Sequence, residues 1–157
     1  PPHEPVSQLM ESRVYKNILI ATDGSELAQK AIQQGLALAK ALGAKATAIT
    51  VTEPWTAVVS GELGMAFPID DYEKGCAANA ERILAGVRAA SKAGVACDTL
   101  HVKDQFPAEG IIEAAKARGN DLIVMASHGR RGVTRLLLGS QATKVLTHST
   151  IPVLVLR

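Results

Sequence analysis

The sequence predicts an α/β fold, a single doubly wound domain on a five-stranded, mostly parallel sheet with helices on both faces. Three observations carry this. Lys16 to Thr22, Asp121 to Ala126 and Ile151 to Leu156 are short continuous apolar runs, the pattern of strands buried on both faces. Segments with apolar residues at helical spacing separate the strand-like runs. The strict alternation of the two, joined by right-handed crossovers, puts helices on both sides of one sheet.

Residues 1–13 are Pro-rich and polar and read as a flexible leader ahead of a domain spanning 14–157. After the first strand, Asp23-Gly-Ser-Glu26 supplies turn and N-cap chemistry. Ala28, Ile32, Leu36, Ala39 and Leu42 then form a helical stripe that Gly43 ends. Lys45 to Thr52 is rich in β-branched residues and reads as the second strand. Pro54, Gly61, Gly64 and Pro68 make 53–69 a long irregular connection, either a responsive loop or a disordered insertion. A helix follows from about Asp70 to Ala93, stopped by Gly94, then a third strand from Val95 to Val102. Pro107 suits the first turn of the next helix, which ends near Gly119. Asp121 to Ala126 is the fourth strand, Gly139 to about His148 a helix, and Ile151 to Leu156 the fifth strand.

Composition narrows the function classes. A chain of 157 residues with 47% hydrophobic and 20% charged residues can bury a core as one domain. A net charge of +2 does not call for nucleic acid, and 3% aromatic content offers no stacking platform for single strands. No apolar run approaches the roughly 20 residues of a membrane helix, and the N-terminus lacks a signal pattern. Cys76 and Cys97 form no CxxC, which fits a reduced, cytoplasmic setting. No nucleic-acid or membrane partner is therefore expected.

Two loops carry chemistry. One is Thr22-Asp23-Gly24-Ser25. The other, Ser127 to Leu138, is punctuated by Gly129 and Gly132, carries Arg130, Arg131 and Arg135, and leads into a helix at Gly139-Ser140. Helix N-termini bind anions because their first N–H groups lack partners and the dipole favours negative charge. If the first and fourth strands are neighbours, the two loops face each other where the winding reverses. Asp23 then meets ribose hydroxyls and the glycine loop meets phosphates. Each feature also has a plainer reading: Asp23 as a turn or cap residue, the glycines as positive-φ turns, the arginines as solvated, Ser140 as an N-cap. His128 alone in a loop is a weak candidate base. His3, His101 and His148 show no metal-ligand spacing, and GxxxxGK[ST] and GxGxxG are both missing.

From about Tyr15 to Arg157 the chain resembles the universal stress protein family. The resemblance rests on Lys16-Asn-Ile-Leu-Ile-Ala-Thr-Asp-Gly-Ser25, Asp121-Leu-Ile-Val-Met-Ala-Ser-His-Gly-Arg130, Leu137-Leu-Gly-Ser140 and Ile151-Pro-Val-Leu-Val-Leu156. It implies an adenine nucleotide alpha hydrolase-like fold with strand order 3-2-1-4-5. The family's ATP-binding branch carries Gly, two residues, Gly, nine residues, Gly and Ser or Thr. Here Gly129, Gly139 and Ser140 match, and Ala126 replaces the first glycine. Alanine there excludes binding only if the position needs positive φ or direct phosphate contact.

The resemblance implies that Asp23 is the ribose-side acid, with Ala21 and Thr22 lining the pocket and the backbone of Val51 meeting adenine. Met125 and Ala126 form the floor. Gly129, Arg130, Gly139, Ser140 and Gln141 face the phosphates. ATP or another adenine nucleotide is the implied cofactor, with Mg²⁺ or Mn²⁺ on the phosphates. The expected function is that of a nucleotide-dependent switch in stress response. A homodimer through Ile151 to Leu156 is expected, because this apolar strand otherwise leaves an exposed edge, unless the leader covers it. The alternatives are an interaction module of the same fold with an empty site, and a slow ATPase or a protein phosphorylated on Ser140 or Thr143. No residue is an evident water-positioning base, so at most slow hydrolysis is expected.

Overall fold

A computed structural model of the chain describes residues 14–59, 61, 66–91, 94–129 and 137–157. Its centre is β1 (Asn17–Ala21), whose residues point alternately to the two faces of the sheet. Ile18 and Ile20 pack into one apolar cluster with α1 (Glu26–Leu42) and α3 (Ile69–Ser91). Leu19 and Ala21 pack into the other with α4 (Pro107–Ala117) and α5 (Ser140–His148). The remaining strands are β2 (Lys45–Val51), β3 (Cys97–Val102), β4 (Leu122–Ala126) and β5 (Val153–Leu156). The sheet order is β3-β2-β1-β4-β5 and every pairing is parallel. The expected fold class and strand order are both observed.

The adjacency of β1 and β4 is locked from below. The Asp121 carboxylate accepts from the backbone N–H of Lys16 at 2.8 Å and of Asn17 at 3.0 Å. One acid at the start of β4 thereby fixes the register of β1 beside it, and with it the meeting of their two exit loops.

Local chemistry sets the helix ends. Ser25, not Asp23, caps α1, its Oγ accepting from Ala28 N–H at 3.3 Å. Gly43 leaves the helix at φ 64°, and Ala44 N–H returns to the Ala39 carbonyl at 2.8 Å. β5 starts two residues later than expected. Pro152 has no N–H, and Ser149 Oγ exchanges hydrogen bonds with the Ile151 backbone, so the strand ladder begins at Val153. β3 likewise starts at Cys97, after Gly94 has turned the chain at φ 127°. The connection 53–69 contains a turn of helix, α2 (Trp55–Val58), following Pro54. The leader 1–13, residues 62–65 of that connection, Gly132, and Arg130, Arg131 and Arg135 lie outside the described residues.

Candidate functional site

A cavity of about 430 Å³ opens at the C-terminal ends of β1, β2 and β4. This is where β1 feeds α1 on one face and β4 feeds α5 on the other, the point at which open α/β sheets bind ligands. Its size lies in the range of small-molecule sites. Ala21, Thr22, Asp23, Val51, Met125, Ala126, Gly129, Gly139, Ser140 and Gln141 all line it. Arg130, the remaining expected site residue, is outside the described residues.

The exit from β1 is a tight turn built by its own side chains. Thr22 N–H donates to the Ile49 carbonyl at 2.9 Å, and Thr22 Oγ1 accepts from Gly24 N–H at 3.1 Å. Asp23 Oδ1 accepts from Ser25 N–H at 2.9 Å, an Asx turn, while Gly24 takes φ 78°. The turn reading of Asp23 is thus realised, and it aims the second carboxylate oxygen across the crevice. A Cβ placed on Gly129 would stand 2.5 Å from Asp23 Oδ2. The loops after β1 and β4 therefore touch, and any side chain at Gly129 would displace the Asp23 carboxylate.

Beyond Ile49, β2 outruns β1 and keeps pairing with β3 through Val51 and Val102. Thr52 N–H donates to the Val102 carbonyl, toward β3. Ile49, two residues before Val51, accepts on the β1 side. Strand alternation turns the N–H and C=O of Val51 to that same side, where β1 has ended and the cavity begins. One donor and one acceptor on a single residue thus border the cavity.

The phosphate-side expectation falls on the start of α5. Gly139 N–H donates to the Ser127 carbonyl at 2.8 Å, and the first intrahelical bond runs from Thr143 N–H to the Gly139 carbonyl. The N–H groups of Ser140, Gln141 and Ala142 have no intrahelical acceptor, and no described side chain caps them. Gly139 sits at φ −63°, ψ 158°, and Gly129 is not in the left-handed region either. Both glycines serve close approach, since a Cβ on Gly139 would meet the Ser127 carbonyl oxygen at 2.8 Å. Gln141 Oε1 accepts from Ala108 N–H at 3.1 Å, capping α4. Its side-chain oxygen therefore braces the floor, and its backbone N–H is what the cavity receives. Ala126 is a β4 residue paired with Leu156, outside the left-handed region. Positive φ is not required there, so one of the two conditions against alanine is removed.

Sequence reasoning missed a wall. Tyr72, Cys76, Asn79, Ala80 and Ile83 line the cavity from α3, and Glu53 and Val58 join them from the connection. Their spacing of four, three, one and three residues places them on one helix face. Tyr72 OH donates to the Glu53 carbonyl at 2.7 Å, and its ring meets Phe67 edge-on at 6.4 Å. Trp55 Nε1–H donates to the Phe67 carbonyl at 3.0 Å. The described part of the connection is therefore pinned to α3 over the cavity. Burial, then hydrogen bonding and charge at Cys76 and Glu53, pushes the Tyr72 phenol from 10.0 up to about 12. A folded-state value above the unfolded one favours the neutral phenol. Its stabilising contribution is complete below pH 10 and is lost as pH rises through about 12. The expected result is that Tyr72→Phe removes a phenolate absorbance step near pH 12 and flattens the loss of thermal stability between pH 10 and 12. An unchanged alkaline titration would refute this placement of Tyr72.

Among the described residues, no group of three or more His, Cys, Asp or Glu could hold a metal ion. Among them, too, no helix is long and apolar enough to cross a membrane. Cys76 and Cys97 are both free thiols.

The "Universal stress protein in QAH/OAS sulfhydrylase 3'region" of Thermus aquaticus is 35% identical over 144 residues, covering 92% of this chain and 100% of the relative. The structure of universal stress protein UspA from Lactobacillus plantarum superposes with a TM-score of 0.75 at 26% identity, covering 91% of this chain and 98% of that one. A universal stress protein solved in complex with cAMP superposes with a TM-score of 0.64 at 24% identity, covering 92% and 98%. The family model described as "Universal stress protein family" matches residues 14–157. The chain belongs to the universal stress protein family.

Proposed function

We propose that the protein binds an adenine nucleotide, ATP foremost, and acts as a dimeric nucleotide-dependent switch in the stress response, in the reducing cytoplasm that its free thiols suit. One observation carries the reading: the Asp23 carboxylate, Gly129 and the start of α5, which no described side chain caps, meet around one cavity at the β1/β4 crossover. A carboxylate for ribose hydroxyls lies on one side and backbone donors for phosphate on the other. Between them, Val51 offers an N–H to adenine N1 and a C=O to the adenine amino group, a pattern that guanine reverses. The cAMP complex shares the fold at 24% identity and contributes the fold alone. The residues of this cavity support the nucleotide. Without a described metal cage, a Mg²⁺ or Mn²⁺ ion enters this proposal on the phosphates, held by few protein groups. Turnover, by hydrolysis or by phosphorylation of Ser140 or Thr143, is at most slow.

The test is to denature purified protein, chromatograph the released small molecules, and titrate stripped protein with Mg-ATP. Adenine nucleotide in the released fraction, or micromolar binding, is the expected result. The single tryptophan, Trp55, stands beside the cavity wall and reports binding by its fluorescence. At one hundred times the dissociation constant, ATP adds about 2.7 kcal/mol, a rise of about 5–10 °C in Tm for a chain of this size. No released nucleotide together with no thermal shift sinks the proposal.

The proposed dimer uses the outer edge of β5. Pro152 and Leu156 carbonyls accept from Ile123 and Ser127 N–H, so strand alternation turns the N–H and C=O of Val153 and Val155 away from β4. Leu137, Leu146 and Leu154 are exposed. Val155→Pro removes an outward donor while sparing the ladder to β4, a substitution that edge strands accept. It is expected to give a folded monomer by analytical ultracentrifugation, and an unchanged dimer would move the interface elsewhere.

A further inference from the structure

His128 stands in the cavity wall with its ring partly exposed. In the sequence it is a lone loop histidine, and the structure gives it a partner. Its Nδ1 lies 3.0 Å from Ser127 Oγ. On the opposite edge of the ring, Cδ2 lies 3.7 Å from where a Cβ on Gly139 would stand. Cδ2 is bonded to Nε2, so this edge of the ring lies on the side of Gly139, the N-cap of α5, whose first N–H groups have no intrahelical acceptor. Ser127 is itself immobilised. It is 2% exposed, its N–H donates to the Leu156 carbonyl at 2.7 Å, and its carbonyl accepts from Gly139 N–H at 2.8 Å.

A hydroxyl can donate to or accept from an imidazole nitrogen, so the Ser127–His128 pair alone leaves the tautomer open. A phosphate oxygen decides it. An ionised phosphate accepts hydrogen bonds only, so a neutral ring facing it must carry its proton on Nε2. Nδ1 then holds the lone pair, and the Ser127 hydroxyl must be its donor.

We propose that His128 donates from Nε2 to the phosphate tail of the bound nucleotide, and that Ser127 is a positioning residue holding the ring in that tautomer. The inference rests on the nucleotide reading above and deepens it. It makes His128 the residue by which the site prefers a phosphorylated nucleoside over the nucleoside itself.

The experiment is calorimetric titration of full-length wild type, His128→Ala, His128→Gln and Ser127→Ala with adenosine, AMP, ADP and Mg-ATP. A hydrogen bond to a charged group is worth about 10- to 100-fold in affinity. His128→Ala is expected to lose about that factor for ATP while adenosine stays within about two-fold of wild type. The shortest ligand in the series that shows the loss identifies the phosphate contacted. His128→Gln, whose amide N–H can reach the same position, is expected to recover most of the loss. Ser127→Ala is expected to show a smaller loss, again confined to phosphorylated ligands. Equal losses for adenosine and ATP in His128→Ala would make the residue structural and overturn the inference. Wild-type ATP affinity in that variant would overturn it too, leaving the nucleotide site standing. Binding of none of the four ligands by wild type refutes the nucleotide reading, and this inference falls with it.

Discussion

Gly139→Ala is expected to abolish ATP binding in the micromolar range. The backbone at this residue, φ −63° and ψ 158°, suits alanine without strain, so the effect is one of space. The new methyl would stand 2.8 Å from the Ser127 carbonyl oxygen and 3.4 Å from His128 Cα, both fixed backbone atoms. Overpacking of this kind costs about 1–3 kcal/mol. Here the displacement falls on the hydrogen bond joining the exit of β4 to the first turn of α5. Relief of the clash moves the N–H groups of Ser140, Gln141 and Ala142 as a unit. Misdirecting two charge-assisted bonds of about 1.5–3 kcal/mol each removes more than 100-fold in affinity. Calorimetry with Mg-ATP, beside far-UV circular dichroism to establish the fold, reads the result. Affinity within about three-fold of wild type would show that phosphate does not sit on α5.

Asp23→Asn separates the two jobs of that side chain. An asparagine oxygen can still accept from Ser25 N–H, so the turn after β1 is retained. The second position becomes an amide donor, which cannot accept from a ribose hydroxyl. ATP and adenosine are expected to weaken alike, by about 10- to 100-fold. Asp23→Ala removes the turn acceptor as well and is expected to lower stability by about 1 kcal/mol in addition. The equal effect on adenosine distinguishes this ribose-side change from the phosphate-selective effect expected at His128. An Asp23→Asn protein that binds both ligands normally would remove Asp23 from the site and confine it to the turn.

Much of this arrangement was legible in the residues. Buried parallel strands announce themselves as apolar runs, and Gly43, Pro107 and the Gly139-Ser140 step mark helix ends by their backbone chemistry. Finer assignments were less accessible because spacing does not distinguish neighbouring residues whose side-chain oxygens can both accept from a helix N-terminus. Asp23 and Ser25 both suit a cap, and only the geometry makes Ser25 the cap and Asp23 the turn. Gly129 suggested a positive-φ turn, whereas it lies outside the left-handed region with the Asp23 carboxylate against it, and at Gly139 the Ser127 carbonyl passes too close for a Cβ. The α3 wall was hidden for a different reason. Ala80, Leu84 and Val87 form an ordinary core-facing stripe, and nothing local tells that its continuation to Cys76 and Tyr72 lines a cavity. How far a helix outreaches its sheet is settled by tertiary packing.

Ser127 is a junction between the sheet edge and the start of α5. Its N–H is held by Leu156, the last residue of the edge strand, and its carbonyl by Gly139, the residue that opens α5. A second copy docked along β5 and an anion docked on α5 would thus each be one hydrogen bond from the same residue. Free-energy conservation then imposes a symmetry on any communication between them. Whatever factor ATP contributes to the dimer association constant, dimer formation must contribute to the ATP association constant. If that factor exceeds one, dilution of the protein acts as an antagonist of the nucleotide and saturating nucleotide as a crosslinker without a bond.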